Sequence, residues 1–422
     1  MTVRLGRLLP RLVLVVFVVD VVLRALPVHW VTYRPDEALR ARPARGGGFA
    51  ANRAYRYPHG YGDLAALANL PDRREYRLLR FTTDELGFRN ATARAAFAAV
   101  LFGDSFAYGS GIDDADTLPA QLGDVLGCAV YNAAGAGAHH AGEILGVTRR
   151  LGLSRGLVIM ERVERELRTV PADASAVVAG AFVAEPAPMH VRLAGMGRAG
   201  TSLLTRAAGR LGREAEMMAA LSPLRIFTTR LHKAIENDRL LPNSYARQAV
   251  MGTLVNGDWM LFYPDELQAD TESAPPPTAY WTALRRELRA HGLELLVLLV
   301  PDKHTVYHEL LRTPLAPAAR PGERMDGLEH ALTDAGVPVV NLRGVFTTTA
   351  RRLFARGQYL YWRDDTHWNP RGVRIAAAEI ARVARGNDGL LRALPPCGSP
   401  TAGGRGRRRH RRGRAGRASS AA

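Results

Sequence analysis

The sequence predicts a three-layer α/β/α sandwich built on a mainly parallel five-stranded sheet. Three observations point there. Short, almost continuous apolar runs recur, as strands buried on both faces require. Stretches with apolar residues at helical spacing alternate with them. The connections are short, which suits a parallel sheet covered on both faces.

The first strand is residues 97–102, Phe-Ala-Ala-Val-Leu-Phe. Asp116-Thr117 then offers a helix cap, with Pro119 in the first turn and Leu118, Leu122, Val125 and Leu126 on one face. Residues 129–131 read as a second strand, 142–151 as a helix and 157–160 as a third strand. Trp281, Leu284 and Leu288 form a helix face that Gly292 is placed to end. Residues 293–300 are the strongest strand, stopped by Pro301, and 337–342 supply the fifth. Asn369-Pro370 opens a last helix carrying Val373, Ile375, Ile380 and Val383.

The chain has 422 residues, of which 47% are hydrophobic, enough for a sizeable core without disulfides or metals. Its formal charge is +17, and eight of those charges are arginines between Arg405 and Arg417 in a Gly-rich tail. No aromatic residue interleaves them, so a solvated tail is expected and nucleic acid is not an expected partner. Cys128 and Cys397 are too few for a disulfide framework or a zinc site, and no bridge between them is expected. His139, His140 and Glu143 lack a further spaced ligand, so no metal is expected.

Arg4, Arg7 and Arg11 precede the apolar run 12–19, with Val21, Val22 and Leu23 beyond Asp20. This plan reads as a signal anchor over 1–29, since a small-residue cleavage site is missing. A buried amphipathic helix with Asp20 paired to Arg24 is the alternative. The positive-inside rule would put everything beyond the anchor outside the cytoplasm. Residues 30–90 read as an extended lead-in and 91–386 as the α/β domain, with a helical insertion at about 172–275. The segment 387–422 reads as a disordered tail.

Three loops fall at carboxyl ends of the expected strands, where open parallel sheets bind ligands. Gly103-Asp104-Ser105-Phe106 follows the first strand, and its glycine allows a turn that exposes a serine hydroxyl. Serine needs a base to act as a nucleophile. Tyr131-Asn132-Ala133-Ala134-Gly135-Ala136-Gly137 is small enough for backbone N–H groups to reach an oxyanion. Asp364-Asp365-Thr366-His367 holds an imidazole to take the serine proton and a carboxylate to orient it. Asn369 is the natural helix cap, which frees both aspartates for other work.

These pieces together resemble the SGNH/GDSL superfamily of serine esterases and acyltransferases. The branch they look most like is that of the alginate O-acetyltransferases, with their SGNH hydrolase-like domain. The resemblance rests on Thr83-Asp84-Glu85-Leu86-Gly87-Phe88-Arg89-Asn90, Gly103-Asp104-Ser105-Phe106, Pro301-Asp302-Lys303-His304-Thr305-Val306-Tyr307 and Asp365-Thr366-His367-Trp368-Asn369-Pro370-Arg371-Gly372. It implies a flavodoxin-like sheet, Ser105 as nucleophile and His367 as base. Asp-x-His spacing selects Asp365 as the acid, and the superfamily's general Asp-x-x-His spacing would select Asp364. The oxyanion hole would be the Ser105 N–H with that of Gly135 or Gly137. The usual Gly-x-Asn-Asp block is replaced by Glu161-Arg162-Val163-Glu164-Arg165, in which Arg165 could stand in as a donor. The Asp-x-His also follows the serine here, whereas in the alginate acetyltransferases it precedes it.

Asp104, Lys303 and Trp368 are the candidate substrate-binding residues. The reading calls for no cofactor. It implies extracytoplasmic O-acyl transfer or ester hydrolysis on a secreted or cell-surface polysaccharide, with a membrane-bound protein as a candidate acyl donor. The alternative is an inactive module of the same fold that binds polysaccharide or scaffolds an export complex.

Overall fold

A computed structural model describes residues 48–68, 70–135, 140–170, 174–177, 249–267, 278–316 and 320–395, with Arg11, residues 14–19 and Val22 near the amino terminus. Residues 14–19 are helical with exposed side chains. No helix among the described residues is long and apolar enough to cross a membrane. Much of the expected anchor, most of the expected insertion and the expected tail beyond residue 395 lie outside the described residues; the start of that tail is corrected, because Asp388–Ala393 is helical, capped by the Asn387 side chain.

The chain enters through an antiparallel hairpin, β1 (Arg53–Gly60) and β2 (Arg77–Thr83), with the short helix α1 (Asp63–Leu67) between them. The α/β core then runs β3 (Phe97–Phe102), α2 (Ser105–Tyr108), α3 (Leu118–Leu126), β4 (Ala129–Asn132), α4 (Ala141–Arg150) and β5 (Gly156–Val163). A second hairpin, β6 (Val250–Thr253) and β7 (Trp259–Phe262), falls where the insertion was expected. The core resumes with α5 (Ala279–Ala290), β8 (Leu293–Val300), α6 (Lys303–Tyr307), α7 (Glu323–Asp334), β9 (Val339–Asn341), α8 (Arg343–Phe354), α9 (Pro370–Arg385) and α10 (Asp388–Ala393).

The five core strands are all parallel, in the order β4-β3-β5-β8-β9. The order reverses beside β3, which opens a crevice beyond the carboxyl ends of β3 and β5. Strand period 2 sends alternate residues to opposite faces. Leu296, Leu298 and Val300 of β8 join one core cluster with residues of α3, α8 and α9. Leu295, Val297 and Leu299 join the other with residues of α4, α5 and α7. That is why β8 reads as a continuous apolar run. Helix α9 buries Val373, Ala376, Ala377, Ile380, Ala381 and Ala384 on one stripe. Asn369 Oδ1 caps it, accepting from the N–H groups of Arg371 (2.9 Å) and Gly372 (3.3 Å).

Strand β9 is shorter than the sequence suggested. The Val337 N–H turns back to the Leu332 carbonyl (2.8 Å), and Pro338 contributes only an acceptor, to the Val297 N–H (3.0 Å). The expectation of no disulfide is also corrected. Cys128 is disulfide-bonded, and the sequence holds one other cysteine, Cys397, outside the described residues. Folding closes much of that sequence gap, because Arg385 near the end of α9 donates to the Val125 carbonyl at 2.7 Å.

Candidate active site

The turn after β3 is built by close packing. A Cβ on Gly103 would lie 2.3 Å from Glu161 Oε2 and 2.8 Å from the Ala107 Cβ. Lack of room, as much as backbone freedom, therefore requires glycine there. Glu161 Oε2 accepts the Asp104 N–H at 3.0 Å, and Asp104 Oδ1 caps α2 by accepting the Phe106 N–H at 2.7 Å. These contacts fix Ser105 at the first position of α2, half-buried, with no acceptor for its N–H among the described residues. Asp104 is thus committed to the turn, and burial with the nearby Asp104 charge pushes the Glu161 carboxyl well up.

The second half of the site is a tight hairpin preceding α9. Tyr361 and Trp368 form an antiparallel bridge, and Trp362 N–H donates to the His367 carbonyl at 3.2 Å. Lys303 fills the inside of this turn. Its Nζ donates to the carbonyls of Asp365 (2.6 Å) and Trp362 (3.1 Å), and its side chain is fully buried. Substrate binding by Lys303 is corrected accordingly: a buried ammonium already donating to two carbonyls holds the loop in shape. Burial lowers its pKa, against the pull of Glu266 and Asp365. Trp368 is corrected for the same reason. It is fully buried against Phe106 (centroids 5.5 Å apart) and Phe346 (6.3 Å), and presents no face to a ligand.

Across the crevice the two halves meet. His367 Nε2 lies 2.7 Å from Ser105 Oγ, and His367 Nδ1 lies 2.8 Å from Asp365 Oδ1. The carboxylate holds the proton on Nδ1, which leaves Nε2 to accept from the serine hydroxyl. The Phe106 ring lies against the imidazole at 4.7 Å. Asp364, the alternative acid, points away from His367. Its Oδ2 accepts the N–H groups of Gly62 (2.6 Å) and Glu75 (2.9 Å), and its Oδ1 meets Arg77 at 2.9 Å.

Sequence reasoning missed the contribution of the lead-in. Asp63, on α1, accepts the Thr366 N–H at 2.8 Å and brings its other oxygen to 3.6 Å from His367 Nδ1. Arg77, at the start of β2, meets both Asp364 and Asp365. A Cβ on Gly62 would sit 1.9 Å from the Asp364 carbonyl oxygen, so that loop can approach only as glycine. In sequence these residues look like ordinary polar positions of an arginine-rich segment. Asp63, Asp365 and His367 also gather metal-type ligand atoms within 4.8 Å, although the imidazole Nδ1 there is already in hydrogen-bond contact with Asp365.

The expected oxyanion donors do not all assemble. The Gly135 N–H donates to the Gly103 carbonyl at 3.1 Å, which corrects its assignment, because it is spent on closing the turn. Gly137 lies outside the described residues. Arg165 packs over Phe106 (5.4 Å) and pairs with Asp302. Burial works against its charge, but Asp302, Glu266 and Asp104 hold its pKa above the ordinary value.

Arg165 also lines a polar crevice, open to solvent, with Glu164, Arg168, Glu266, Asp302 and Arg320. Burial, reinforced by Asp302, pushes the Glu266 carboxyl up to about 8, and its Oε1 has no hydrogen-bond partner among the described residues. A carboxyl raised in the folded state favours folding fully below its unfolded value, and that contribution is lost as pH rises through the folded value. We expect Glu266→Gln to raise the melting temperature at pH 8.5 by about 2–4 °C and to change it little at pH 5. Glutamine still offers an acceptor to the His304 N–H, which Glu266 Oε2 accepts at 3.1 Å. Melts monitored by circular dichroism at both pH values check this.

Residues 254–399 match the family model described as SGNH hydrolase-like domain, acetyltransferase AlgX. A probable alginate O-acetylase AlgJ of Azotobacter vinelandii is 23% identical over 137 residues, 32% of this chain and 34% of that protein. The alignment thus spans about a third of the relative's length. A solved structure aligns with 10% identity over 68% of this chain and 95% of its own, with a TM-score of 0.31. These sequence matches support an SGNH-like family related to the alginate acetyltransferases. The family match includes Lys303, Asp365 and His367, while Asp63, Arg77 and Ser105 lie before it.

Proposed function

We propose that this chain, a relative of the SGNH hydrolase-like acetyltransferases through residues 254–399, transfers an acetyl or similar acyl group to polysaccharide hydroxyls outside the cytoplasm. One observation carries the reading. Ser105 Oγ, the His367 imidazole and the Asp365 carboxylate form a continuous hydrogen-bonded relay, with links of 2.7 and 2.8 Å.

In this reading His367 Nε2 takes the hydroxyl proton as Ser105 Oγ bonds to the ester carbonyl carbon. The carbonyl π pair moves to oxygen, and the Ser105 N–H donates to that oxyanion. As the carbonyl re-forms, the alkoxide leaves and takes the proton from Nε2, so Ser105 is acylated. A sugar hydroxyl then gives its proton to Nε2 as its oxygen bonds to the acyl carbon, the Ser105 Oγ–acyl bond breaks, and Oγ takes the proton back from Nε2. Asp365 keeps Nδ1 protonated and stabilises the imidazolium in both halves.

Two features support this compartment. The basic, then apolar, amino terminus fits a signal anchor, and a disulfide-bonded Cys128 fits an oxidising environment. A membrane-bound acyl donor fits the same placement.

The test is a trapped acyl-enzyme. After brief incubation with p-nitrophenyl acetate and acid quench, peptide mass spectrometry should find one acetyl group, on Ser105. Added oligosaccharide should discharge it and become acetylated. A Ser105 peptide that never carries acetyl would leave a fold that binds polysaccharide or scaffolds export without chemistry.

A further inference from the structure

We infer that Arg77 is a positioning residue for this reaction, acting on Ser105 through Asp365 and His367; the inference rests on the acyl-transfer reading above. Asp365 has two carboxylate oxygens. Oδ1 is engaged by the His367 ring (2.8 Å) and the His367 N–H (3.1 Å). Oδ2 faces Arg77 at 2.6 Å, and Arg77 reaches Asp364 with its other terminal nitrogen at 2.9 Å. One planar guanidinium therefore spans two adjacent aspartates, a geometry lysine lacks.

The guanidinium is itself held on every side. Its Nε donates to the Gly111 carbonyl (3.1 Å) and one terminal nitrogen also to the Glu75 carbonyl (3.0 Å). Its face lies 4.3 Å from the Trp362 ring centroid. Gly111 belongs to the segment after α2, Glu75 leads into β2, and Trp362 is in the histidine loop. Arg77 thus ties the hairpin, the serine segment and the histidine loop to one rigid plane. The Asp365 carboxylate is set by that plane, and the imidazole is set by Asp365.

Charge makes the same point. Asp63 and Asp365 face the imidazole and Asp364 lies behind them on Arg77, with Arg77 and Lys303 as the facing cations. Glu75 and Asp258 face Arg363 instead, at 2.6 and 3.8 Å, and Arg165 lies over the Phe106 ring at 5.4 Å. Neutralising Arg77 leaves the three carboxylates an excess that favours a protonated imidazole, and a protonated imidazole takes no proton from Ser105.

The experiment follows the rate of Ser105 labelling by a fluorophosphonate from pH 5 to 9, on the full chain in detergent, with melting curves alongside. For Arg77→Gln we expect labelling slowed about tenfold to a hundredfold at pH 7, with the acidic limb moved up by about one pH unit. Arg77→Lys keeps the charge and loses the fork, so its limb should stay in place while its rate falls by a smaller factor. A role confined to folding would lower the melting temperature and the labelled fraction, and leave the limb of the surviving protein unmoved in both variants. That result overturns the inference, as does a wild-type rate and limb in Arg77→Gln. Should Arg77→Gln not fold, Arg77→Lys decides alone, and an unchanged rate there overturns it. A wild-type chain that takes no label on Ser105 sinks the acyl-transfer reading, and this inference with it.

Discussion

His367→Ala is expected to slow acylation of Ser105 by about 10⁴- to 10⁶-fold while leaving the fold nearly intact. A serine hydroxyl is a weak nucleophile unless its proton has somewhere to go. Among the described residues, Nε2 of His367 is the base in reach, at 2.7 Å. The loop does not depend on the imidazole for its shape. Lys303 holds the Asp365 and Trp362 carbonyls, and the Tyr361–Trp368 bridge closes the hairpin beneath. Ser105→Ala should therefore cost about as much activity as His367→Ala, and the double variant little more, because the relay works as one unit. Steady-state hydrolysis of p-nitrophenyl acetate, with melts of all three variants, reads this out. A His367→Ala chain that keeps its rate within tenfold would mean the proton leaves by another route.

The parts of the molecule legible in sequence are those whose burial is one-dimensional. Strand β8 packs apolar clusters on both faces, so every position except Glu294 is forced apolar. Asn369-Pro370 caps α9 through contacts two and three residues away. The turn after β3 and the loop before α9 stand out because a functional pattern interrupts an otherwise regular alternation. What stayed hidden depends on chain segments hundreds of positions apart. Asp63 and Thr366 are joined by a hydrogen bond across 303 positions, and Arg77 meets Asp364 across 287. Neither residue carries a local signal, since each sits in a short amphipathic stretch where a polar side chain looks solvated. The lead-in therefore read as a passage to the domain, when it supplies one wall of the site. Arg89 shows the same effect in a recognised motif. Its guanidinium donates to the Arg80 and Ile112 carbonyls, both at 2.8 Å, so it staples the hairpin to the serine segment and stays clear of the crevice.

Lys303 and Trp368 illustrate the opposite error. Both lie in segments that resemble the family, and both are fully buried. Proximity to a catalytic loop in sequence does not distinguish a residue that touches substrate from one that holds the loop. Burial decides, and it comes from distant elements: Trp368 packs on Phe106 and Phe346, while the β7 residue Phe262 lies 5.5 Å from the Lys303 ammonium.

The two neighbouring aspartates offer the second large effect, because only one of them should fail in the rate. Asp365→Asn should lower acylation by about 10⁴-fold in the protein that folds, and it also weakens the buried pair with Arg77. Its amide would keep one oxygen for Arg77 and turn the NH₂ toward Nδ1. Nδ1 must then accept, the ring proton moves to Nε2, and Nε2 can no longer take the serine proton. Asp364→Asn reaches no atom of the imidazole. It removes a buried carboxylate that receives Arg77 and two backbone N–H groups, and an amide cannot satisfy all three. Breaking a buried pair of that kind costs about 3–5 kcal/mol, so the melting temperature should fall by about 5–15 °C. The surviving folded protein should acylate Ser105 within about tenfold of the wild-type rate, since the relay itself is untouched. Rates normalised to folded protein, set beside melting temperatures, separate the two substitutions. If Asp364→Asn lost the activity and Asp365→Asn only the stability, the carboxylate that orients His367 during turnover would be Asp364, and the loop would have to rearrange to bring it there.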